Sequence, residues 1–597
     1  MYILGLSFYY HDSAAALIKD GRLVAAVEEE RFSRVKHDKG FPVKGADFCL
    51  KTAGITMDDV SFVVFYEKPF LKFERIMMTA FQTFPRSWKV FRESMHRWLT
   101  DKLWIKSLMR ERLDVPSKKI LFCDHHMSHA AGSYFCSPFE EAAIMTVDGV
   151  GEWCTGTLGR AKDNKITIDK ELVFPHSVGL LYSAFTAYCG FEVNEGEYKL
   201  MGMAPYGEPK YVDKIKQVVD IADDGSIFHK MEYFAYHYSP NETLSKKFCE
   251  LFGRPPRDPK LQDKSLDPFY CDVAASIQKV TEEILLKMAN HLHKTTGSKN
   301  LCIAGGVGLN SVANAKILTQ TPFEDMYIQP AAGDDGGAVG AALWAYYDLL
   351  DNPRNGWVLE HAHYGSEYSD EEIETWLKEN DIAFTKIDDD EEFFNRVCDD
   401  LEAGKVCGWF RGKLEWGPRA LGSRSIIADP RRAEMKDILN AKIKFREAFR
   451  PFAPTVTEEA CAEFFELPEP ARHYPARFML YVVPVREEKR EIIPAITHVD
   501  GSGRLQTAVK HTNPAYHRII ELFGERTGVP VIMNTSFNLK GEPIVENPAN
   551  AFNTFSRSQM DVCYMNNYIV ESDAKKIIEE TRFHLRHHGD SVVQMMS

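Results

Sequence analysis

The chain opens on a short apolar run from about Tyr2 to Ser7, broken at His11-Asp12, and a second run follows from Ala14 to Lys19. Asp20-Gly21 supplies a hairpin turn, and Arg22 to Glu28 returns, so three strands are predicted here. A related pattern recurs later. Ala142 to Val147 is an apolar strand broken by Asp148-Gly149, Glu152 to Gly159 continues as a strand, and Asp163-Asn164 turns into Ile166 to Leu172. Two strand-turn-strand units, each followed by helical sequence, predict a duplicated α/β core. Leu301 to Gly306 and Ala331 to Gly337 each run from a short apolar stretch into a Gly-rich turn and a helix, which presents backbone N–H groups to phosphate.

A helix from Ala338 to Leu350 is expected to close this region, and the breaker cluster Asp351-Asn352-Pro353-Arg354-Asn355-Gly356 is the expected domain boundary. The chain then divides into residues 1–355 and 356–597, the second a further α/β unit. One insertion, about residues 70–110, reads as a helical hairpin rich in Phe and Trp whose bases outnumber its acids. The first expectation is a helical subdomain with an aromatic core drawn from Phe73, Phe81, Phe84, Trp88, Phe91, Trp98 and Trp104. The alternative is a basic, aromatic face for an anionic or membrane-associated acceptor.

A chain of 597 residues is too long for one hydrophobic core, so two or more domains are expected. The net charge of −14 argues against nucleic acid as a partner, because such binding needs Lys and Arg to displace phosphate counterions. Twelve Cys with no C-x-x-C pair exclude zinc-ribbon spacing and a disulfide scaffold, and point to buried thiols in a reducing, cytoplasmic setting. The first apolar run lacks a basic leader, and no apolar stretch is long enough to span a bilayer, so neither a signal peptide nor membrane association is expected.

The strongest chemical signal is Asp124-His125-His126-Met127-Ser128-His129. On a helix, His125 and His129 are four residues apart and share a face, which lets two imidazoles hold one divalent ion. His126 with His129 is the competing pair, and a helix with ordinary core histidines is the plain alternative. Asp148 ends a buried strand, and Asp334 sits in a Gly-rich turn; strand ends of such a core converge on one cleft. Two His with two carboxylates make a mixed site suited to Fe(II), Mn(II) or Zn(II). The alternatives are a turn-forming Asp148 and a helix-capping Asp334 or Asp335.

These residues resemble the O-carbamoyltransferase family of nodulation-factor and antibiotic biosynthesis. The resemblance is carried by Gly5-Leu6-Ser7 with His11-Asp12-Ser13, by Glu28 to Arg34, by His125 to His129, by Gly196 to Gly207 and by Gly305 to Asn310. It continues in Glu415 to Ser425, Lys444 to Pro454 and Asn534 to Asn538, so it covers nearly the whole chain in order. The resemblance implies a duplicated actin/sugar-kinase-like (ribonuclease H-like) first domain and a YrdC-like α/β second domain. It implies that the second domain makes carbamoyl-AMP from carbamoyl phosphate and ATP with Mg(II), and that the first moves the carbamoyl group to a hydroxyl of a small-molecule acceptor. The implied metal ligands are His125, His129, Asp148 and Asp334, with Fe(II) the first choice of ion and Mn(II) or Zn(II) as alternatives.

The residues fit that chemistry. Two polyanionic substrates need several cations, and Arg419, Arg424, Lys444, Arg446, Arg450 and Arg504 are offered for them, with Asn534 and Ser536 as hydroxyl and amide donors. His11 is the candidate base or acceptor-orienting group and Asp12 its backup. Lys199, Gly202, Gly305, Gly306 and Asn310 are candidates for gripping the adenylate in the first domain. The rivals are a sugar-kinase-like phosphotransferase, which would need neither the Arg-rich second domain nor the paired histidines, and a tRNA threonylcarbamoylation enzyme, which the acidic charge disfavours. A homodimer is left open.

Overall fold

The computed structural model describes residues 1–239, 242–260, 266–444, 447 and 449–572; Arg446 and the His-rich stretch at 583–588 lie outside the described residues. Strand β1 (Tyr2–Ser7) is buried at every position from Ile3 onward, which suits the centre of a sheet covered on both faces. It pairs antiparallel with β2 (Ala14–Lys19), which pairs antiparallel with β3 (Arg22–Glu28). On its other side β1 pairs parallel with β4 (Val60–Phe65), and β4 with β5 (Ile120–Phe122), in the order β3-β2-β1-β4-β5.

A second five-stranded sheet repeats that order and polarity. Here β6 (Glu141–Val147) is central, antiparallel to β7 (Cys154–Lys162), which is antiparallel to β8 (Lys165–Val173). A small hairpin of β9 (Val219–Ile221) and β10 (Ile227–His229) intervenes. β6 then pairs parallel with β11 (Asn300–Ala304), and β11 with β12 (Asp325–Tyr327). Between the sheets, helices His125–Tyr134 and Gly337–Trp344 pack directly on each other. A Cβ at Gly340 would sit 1.8 Å from the Ser128 carbonyl oxygen, so only glycine permits this approach. The approach carries the Asp334 turn to the histidine helix. The expected helix from Ala338 continues past Trp344 as a π-helix over Ala345–Leu349, with the Leu350 N–H donating to Ala345 at 3.0 Å.

The carboxy-terminal part is one nine-stranded mixed sheet. Its strands are β13 (Thr385–Lys386), β14 (Cys407–Phe410), β15 (Arg424–Ala428), β16 (Ala453–Thr457), β17 (Tyr481–Pro484), β18 (Ser502–Ala508), β19 (Val531–Ser536), β20 (Val562–Met565) and β21 (Tyr568–Glu571), ordered β13-β21-β20-β14-β15-β19-β16-β18-β17. The main apolar core runs through both parts of the chain, and a second, smaller core around Trp409 and Phe523 belongs to the carboxy-terminal part. The parts join because helix Ser311–Gln320 packs on β17, with the Asn314 amide donating to the Leu480 carbonyl at 3.2 Å.

The insertion folds as helices Pro69–Gln82, Trp88–Thr100 and Ile105–Leu113. It encloses only part of the expected aromatic core, with Phe73 and Trp98 packed at 5.8 Å between ring centres. Trp98 is buried, but Phe81, Phe84, Trp88 and Trp104 are 62%, 66%, 56% and 60% exposed. The inward positions are taken instead by Lys72, paired with Glu67 at 2.5 Å, and by Arg75, whose guanidinium lies 5.0 Å from the Phe174 ring centre.

Candidate active site

Asp148 follows β6 directly, and Asp334 begins the turn that leads into helix Gly337–Trp344. Both meet the imidazoles that project from the first turns of helix His125–Tyr134. His125 Nε2 lies 3.0 Å from Asp148 and 3.7 Å from Asp334; His129 Nε2 lies 3.8 Å and 3.5 Å from the same carboxylates and 3.1 Å from His125 Nε2. All four side chains are buried, and their facing atoms lie within 4.8 Å of one another. Around an ion bonded at about 2.1 Å, neighbouring ligand atoms stand about 3.0 Å apart in an octahedron and about 3.4 Å apart in a tetrahedron. The observed distances are of that size. Asp334 Oδ2 is buried without a hydrogen-bond partner, which fits a role as a cation ligand. These residues could therefore hold a divalent metal.

The competing pair is excluded by geometry. His126 Nε2 donates to the Cys154 carbonyl at 3.0 Å and its Nδ1 meets Thr146 Oγ1 at 2.7 Å. Burial, with His125 and His129 alongside, pushes its pKa down to about 3, so it is a neutral core histidine. Burial disfavours charge on His129 too, but its bonds to Asp148 and Asp334 outweigh this and lift it to about 10. Burial would raise Asp148; the bonds from His125 and His129 instead hold it well below the usual carboxylate range. Asp148 is further fixed by the Gly306 N–H at 2.8 Å.

His11 stands at the rim of this cluster, its Nε2 4.0 Å from Asp334 Oδ2. Asp12 holds its Nδ1 at 3.0 Å and, with its second oxygen, holds His37 Nδ1 at 2.7 Å. Burial works against a charged His11, but the Asp12 bond and the Asp334 charge lift it to about 9. His11 and Asp12 thus form an oriented pair beside the His2Asp2 cluster.

A cavity of about 540 Å³ opens from the cluster and is lined by both parts of the chain. His11, Asp12, Asp148, Asp334, Lys199, Gly202, Gly306 and Asn310 line it from one side; Arg419, Lys444, Arg450, Arg504, Asn534 and Ser536 line it from the other. Lys444 is buried and reaches the Ser536 carbonyl at 2.5 Å, the Asn538 carbonyl at 2.9 Å and Asn538 Oδ1 at 2.8 Å, so it clamps the turn after β19. Asn534 donates to Gln506 at 2.8 Å and keeps a buried oxygen without a partner.

Four expected ligands do not join them in the expected way. Arg424 lies outside the cavity: its guanidinium is taken up by the carbonyls of Gly412, Ser423 and Ser366 and rests 3.7 Å from the Phe410 ring centre. The Gly305 N–H donates to Ala332 and the Gly306 N–H to Asp148, so this turn orients a metal-ligand candidate rather than offering those N–H groups to phosphate. The Asn310 amide is engaged by Gln278 and by the Ala313 N–H, as a helix cap.

Several lining residues have no role in the sequence reading. Tyr198 is one: the Arg450 guanidinium lies 4.7 Å from its ring centre. Burial would raise its phenol, yet Arg450, Lys199, Lys36 and Arg419 together bring it below the ordinary value, which shows how positive this wall is. Tyr198 lies within the Gly196–Gly207 motif, but nothing in the pattern sets it apart there. Glu28 and Arg31 also line the cavity. The Gly417 N–H donates to Glu28 at 2.8 Å across the junction between the two parts. Gly417 itself takes φ +100° beside the Pro330 carbonyl, where a Cβ would approach to 2.8 Å.

The family model described as Carbamoyltransferase N-terminus matches residues 2–343, and that described as Carbamoyltransferase C-terminus matches residues 398–572. The chain belongs to the carbamoyltransferase family. It is 46% identical to an uncharacterized Synechocystis protein over 96% of this chain and 97% of that one. It is 36% identical to the nodulation protein NolNO of Sinorhizobium fredii, over 94% of this chain and 79% of that protein. With a 3'-hydroxymethylcephem-O-carbamoyltransferase of Streptomyces clavuligerus it shares 26% identity over 90% and 92% of the two chains. Among solved structures, HypF of T. kodakarensis aligns with a TM-score of 0.29 at 13% identity over 58% of this chain and 48% of that one. The ROK hexokinase of Thermus thermophilus gives 0.27 at 14% over 59% and 100%. As a carbamoyltransferase, the chain is an enzyme, and its cavity is the place to seek its chemistry.

Proposed function

We propose that this carbamoyltransferase is ATP-dependent and acts on a hydroxyl of a small-molecule acceptor. In the carboxy-terminal part, residues 356–597, carbamoyl phosphate, ATP and one water give carbamoyl-AMP, pyrophosphate and phosphate. Arg419, Arg450 and Arg504 neutralise the phosphates, and Lys444 holds the turn that carries Ser536 and Asn538. In the amino-terminal part, residues 1–355, the carbamoyl carbon passes from AMP to the acceptor oxygen, and Lys199 and Gly202 face the leaving adenylate. The shared strand order of the two five-stranded sheets supports reading this part as a duplicated actin/sugar-kinase-like domain; the reading of the other part as YrdC-like rests on sequence motifs.

His125, His129, Asp148 and Asp334 are the residues to hold a divalent metal, Fe(II) first and Mn(II) or Zn(II) as alternatives. Bound there, the ion supplies a Lewis acid for carbonyl or alcohol oxygen and offsets the carboxylate charge beside His11. His11 Nε2 takes the acceptor proton while Asp12 holds Nδ1–H and keeps the ring aimed. Transfer of the carbamoyl group to a hydroxyl needs no covalent enzyme intermediate, so no nucleophilic Ser or Cys is invoked.

The observation that carries this reading is the single cavity joining a His2Asp2 cluster to an Arg- and Lys-lined wall. The O-carbamoyltransferase relative adds support for a hydroxyl acceptor. The test is pyrophosphate release from ATP. Release that depends on carbamoyl phosphate, and survives His125→Ala with His129→Ala while transfer is lost, is the expected result. Acceptor-dependent ADP formation with no pyrophosphate would replace this reading with a kinase.

A further inference from the structure

The first insertion helix turns Lys72 and Arg75 inward and large apolar side chains outward. At about 100° per residue, Phe70, Leu71, Glu74, Met78 and Phe81 share about one-third of the first helix's circumference, and all are exposed. Lys72 and Arg75 on the other side are buried. The second helix adds Trp88 and Leu99, 56% and 57% exposed, and Phe91 ties Trp88 to Phe81 with ring centres 5.9 Å and 6.1 Å away. Among the described residues, half of the exposed large hydrophobic side chains fall between Phe70 and Trp104. A solvated helix pair normally shows the opposite arrangement, so this face is built to be covered.

The charge around it names what covers it. Arg86, Lys89, Arg92, Arg97, Lys106, Arg110 and Arg112 are exposed here against Glu74, Glu93, Asp101 and Glu111, on a chain whose net charge is −14. Exposed tryptophans with a basic border suit the interface of an anionic bilayer, where aromatic rings sit at headgroup depth and Lys and Arg meet lipid phosphate. A second copy of the chain fits poorly, because a two-fold contact through this face would set the same bases against one another. Among the described residues no helix is long and apolar enough to cross a membrane, so the contact is interfacial.

We infer that the insertion at residues 69–113 is a docking surface for an anionic phospholipid bilayer. It departs from the expectation of no membrane association, and it does not depend on what the cavity transfers. The surface is tied to the active site from behind: Lys72 Nζ lies 4.9 Å from the ring centre of Tyr10, which lines the cavity beside His11. The Lys68 N–H donates to Glu152, which also holds the His125 N–H. The inner side of the insertion thus packs against residues that line or brace the His2Asp2 end of the cavity.

The test uses the full chain, sedimented with vesicles of phosphatidylcholine alone and of equal parts phosphatidylcholine and phosphatidylglycerol. Co-sedimentation with the mixed vesicles is expected, weaker by about tenfold on phosphatidylcholine alone. The variant Phe81→Ser/Trp88→Ser/Trp104→Ser should lose about tenfold or more in partitioning while keeping carbamoyl-phosphate-dependent pyrophosphate release. The variant Lys89→Gln/Arg92→Gln/Lys106→Gln, at three exposed positions, should weaken binding to mixed vesicles alone. Failure of the wild-type chain to sediment with mixed vesicles, or wild-type binding by the aromatic variant, overturns the inference. So does a wild-type dimer that the aromatic variant dissolves, which would give the face to a second copy.

Discussion

Arg31 donates to the carbonyl of Gly417 at 2.9 Å, and that bond crosses from the amino-terminal to the carboxy-terminal part of the chain. The same guanidinium lies 3.3 Å from Glu28 and 2.6 Å from Glu30, while Glu28 accepts the Gly417 N–H. Arg31 is 3% exposed, so its removal would leave two acidic groups buried beside the cavity without their counter-charge. Arg31→Met is expected to cost about 3–5 kcal/mol in urea unfolding. Adding Glu28→Gln should recover part of that loss, because the uncompensated charge is then gone. A single variant as stable as wild type would show that the contact contributes nothing.

Glu152 is expected to govern metal affinity without touching the ion. Its two oxygens accept the His125 N–H at 3.1 Å and 3.2 Å, and one also accepts the Lys68 N–H at 2.7 Å. It therefore fixes the first residue of the histidine helix. Glu152→Gln halves the accepting capacity and should lower affinity for a divalent ion about 10- to 100-fold. Chelator competition on purified protein measures it, with circular dichroism to show that the fold is kept. Unchanged affinity would make Glu152 a purely structural cap.

Lys444 is engaged by the turn after β19, and its loss should act through that turn. With Nζ shared between the Ser536 and Asn538 carbonyls and the Asn538 side chain, Lys444→Met leaves several acceptors unsatisfied beside the cavity. Carbamoyl-phosphate-dependent pyrophosphate release should fall by about a hundredfold or more. Arg424→Gln provides the contrast. Its guanidinium serves three carbonyls away from the cavity, so stability should drop while KM for ATP holds. Equal kinetic damage from both would undo the distinction.

How far these relations could be read beforehand follows from their range. Strands with their own turns, such as Ala14–Lys19 with Asp20-Gly21 and Arg22–Glu28, are local, and their bounds agree with the pattern. The pairing of His125 with His129 is also local, since one helical turn brings them together. Asp148 and Asp334 were reachable through the rule that strand ends converge and through the family resemblance, and the structure does bring them to the histidines. Partners across the chain junction were beyond any local rule: nothing near Glu28 or Arg31 announces Gly417. The two arginines Arg419 and Arg424 look alike in sequence, and only the fold separates a cavity wall from a set of backbone acceptors. The insertion misled for a related reason. Periodicity shows that a helix has two faces, but Lys72 and Arg75 find acidic and aromatic partners inside, and so the aromatic face is turned out.

Acid should destabilise the fold from an early point, for reasons away from the metal-ligand cluster. His229 is fully buried, its Nδ1 2.8 Å from Tyr236 Oη, and burial with His176 nearby pushes it from 6.5 down to about 3. His361 and His363, packed where the two parts of the chain meet, are likewise brought by burial to about 4. Each stays neutral in the folded chain while its unfolded counterpart takes up a proton near 6.5. Above that pH both states are neutral and nothing is lost. As pH falls below it, the unfolded state binds more protons, so stability drops by about 1.4 kcal/mol per pH unit for each such group until its folded pKa is reached. His37 runs the other way: its bond to Asp12 raises it, so its contribution is whole below 6.5 and fades only as pH rises through its folded value. The acid limb therefore belongs to the neutral histidines. Urea midpoints should decline steadily from about pH 6.5 to about pH 5. His229→Gln should flatten that decline by one group's share, and a slope identical to wild type would remove His229 from the account.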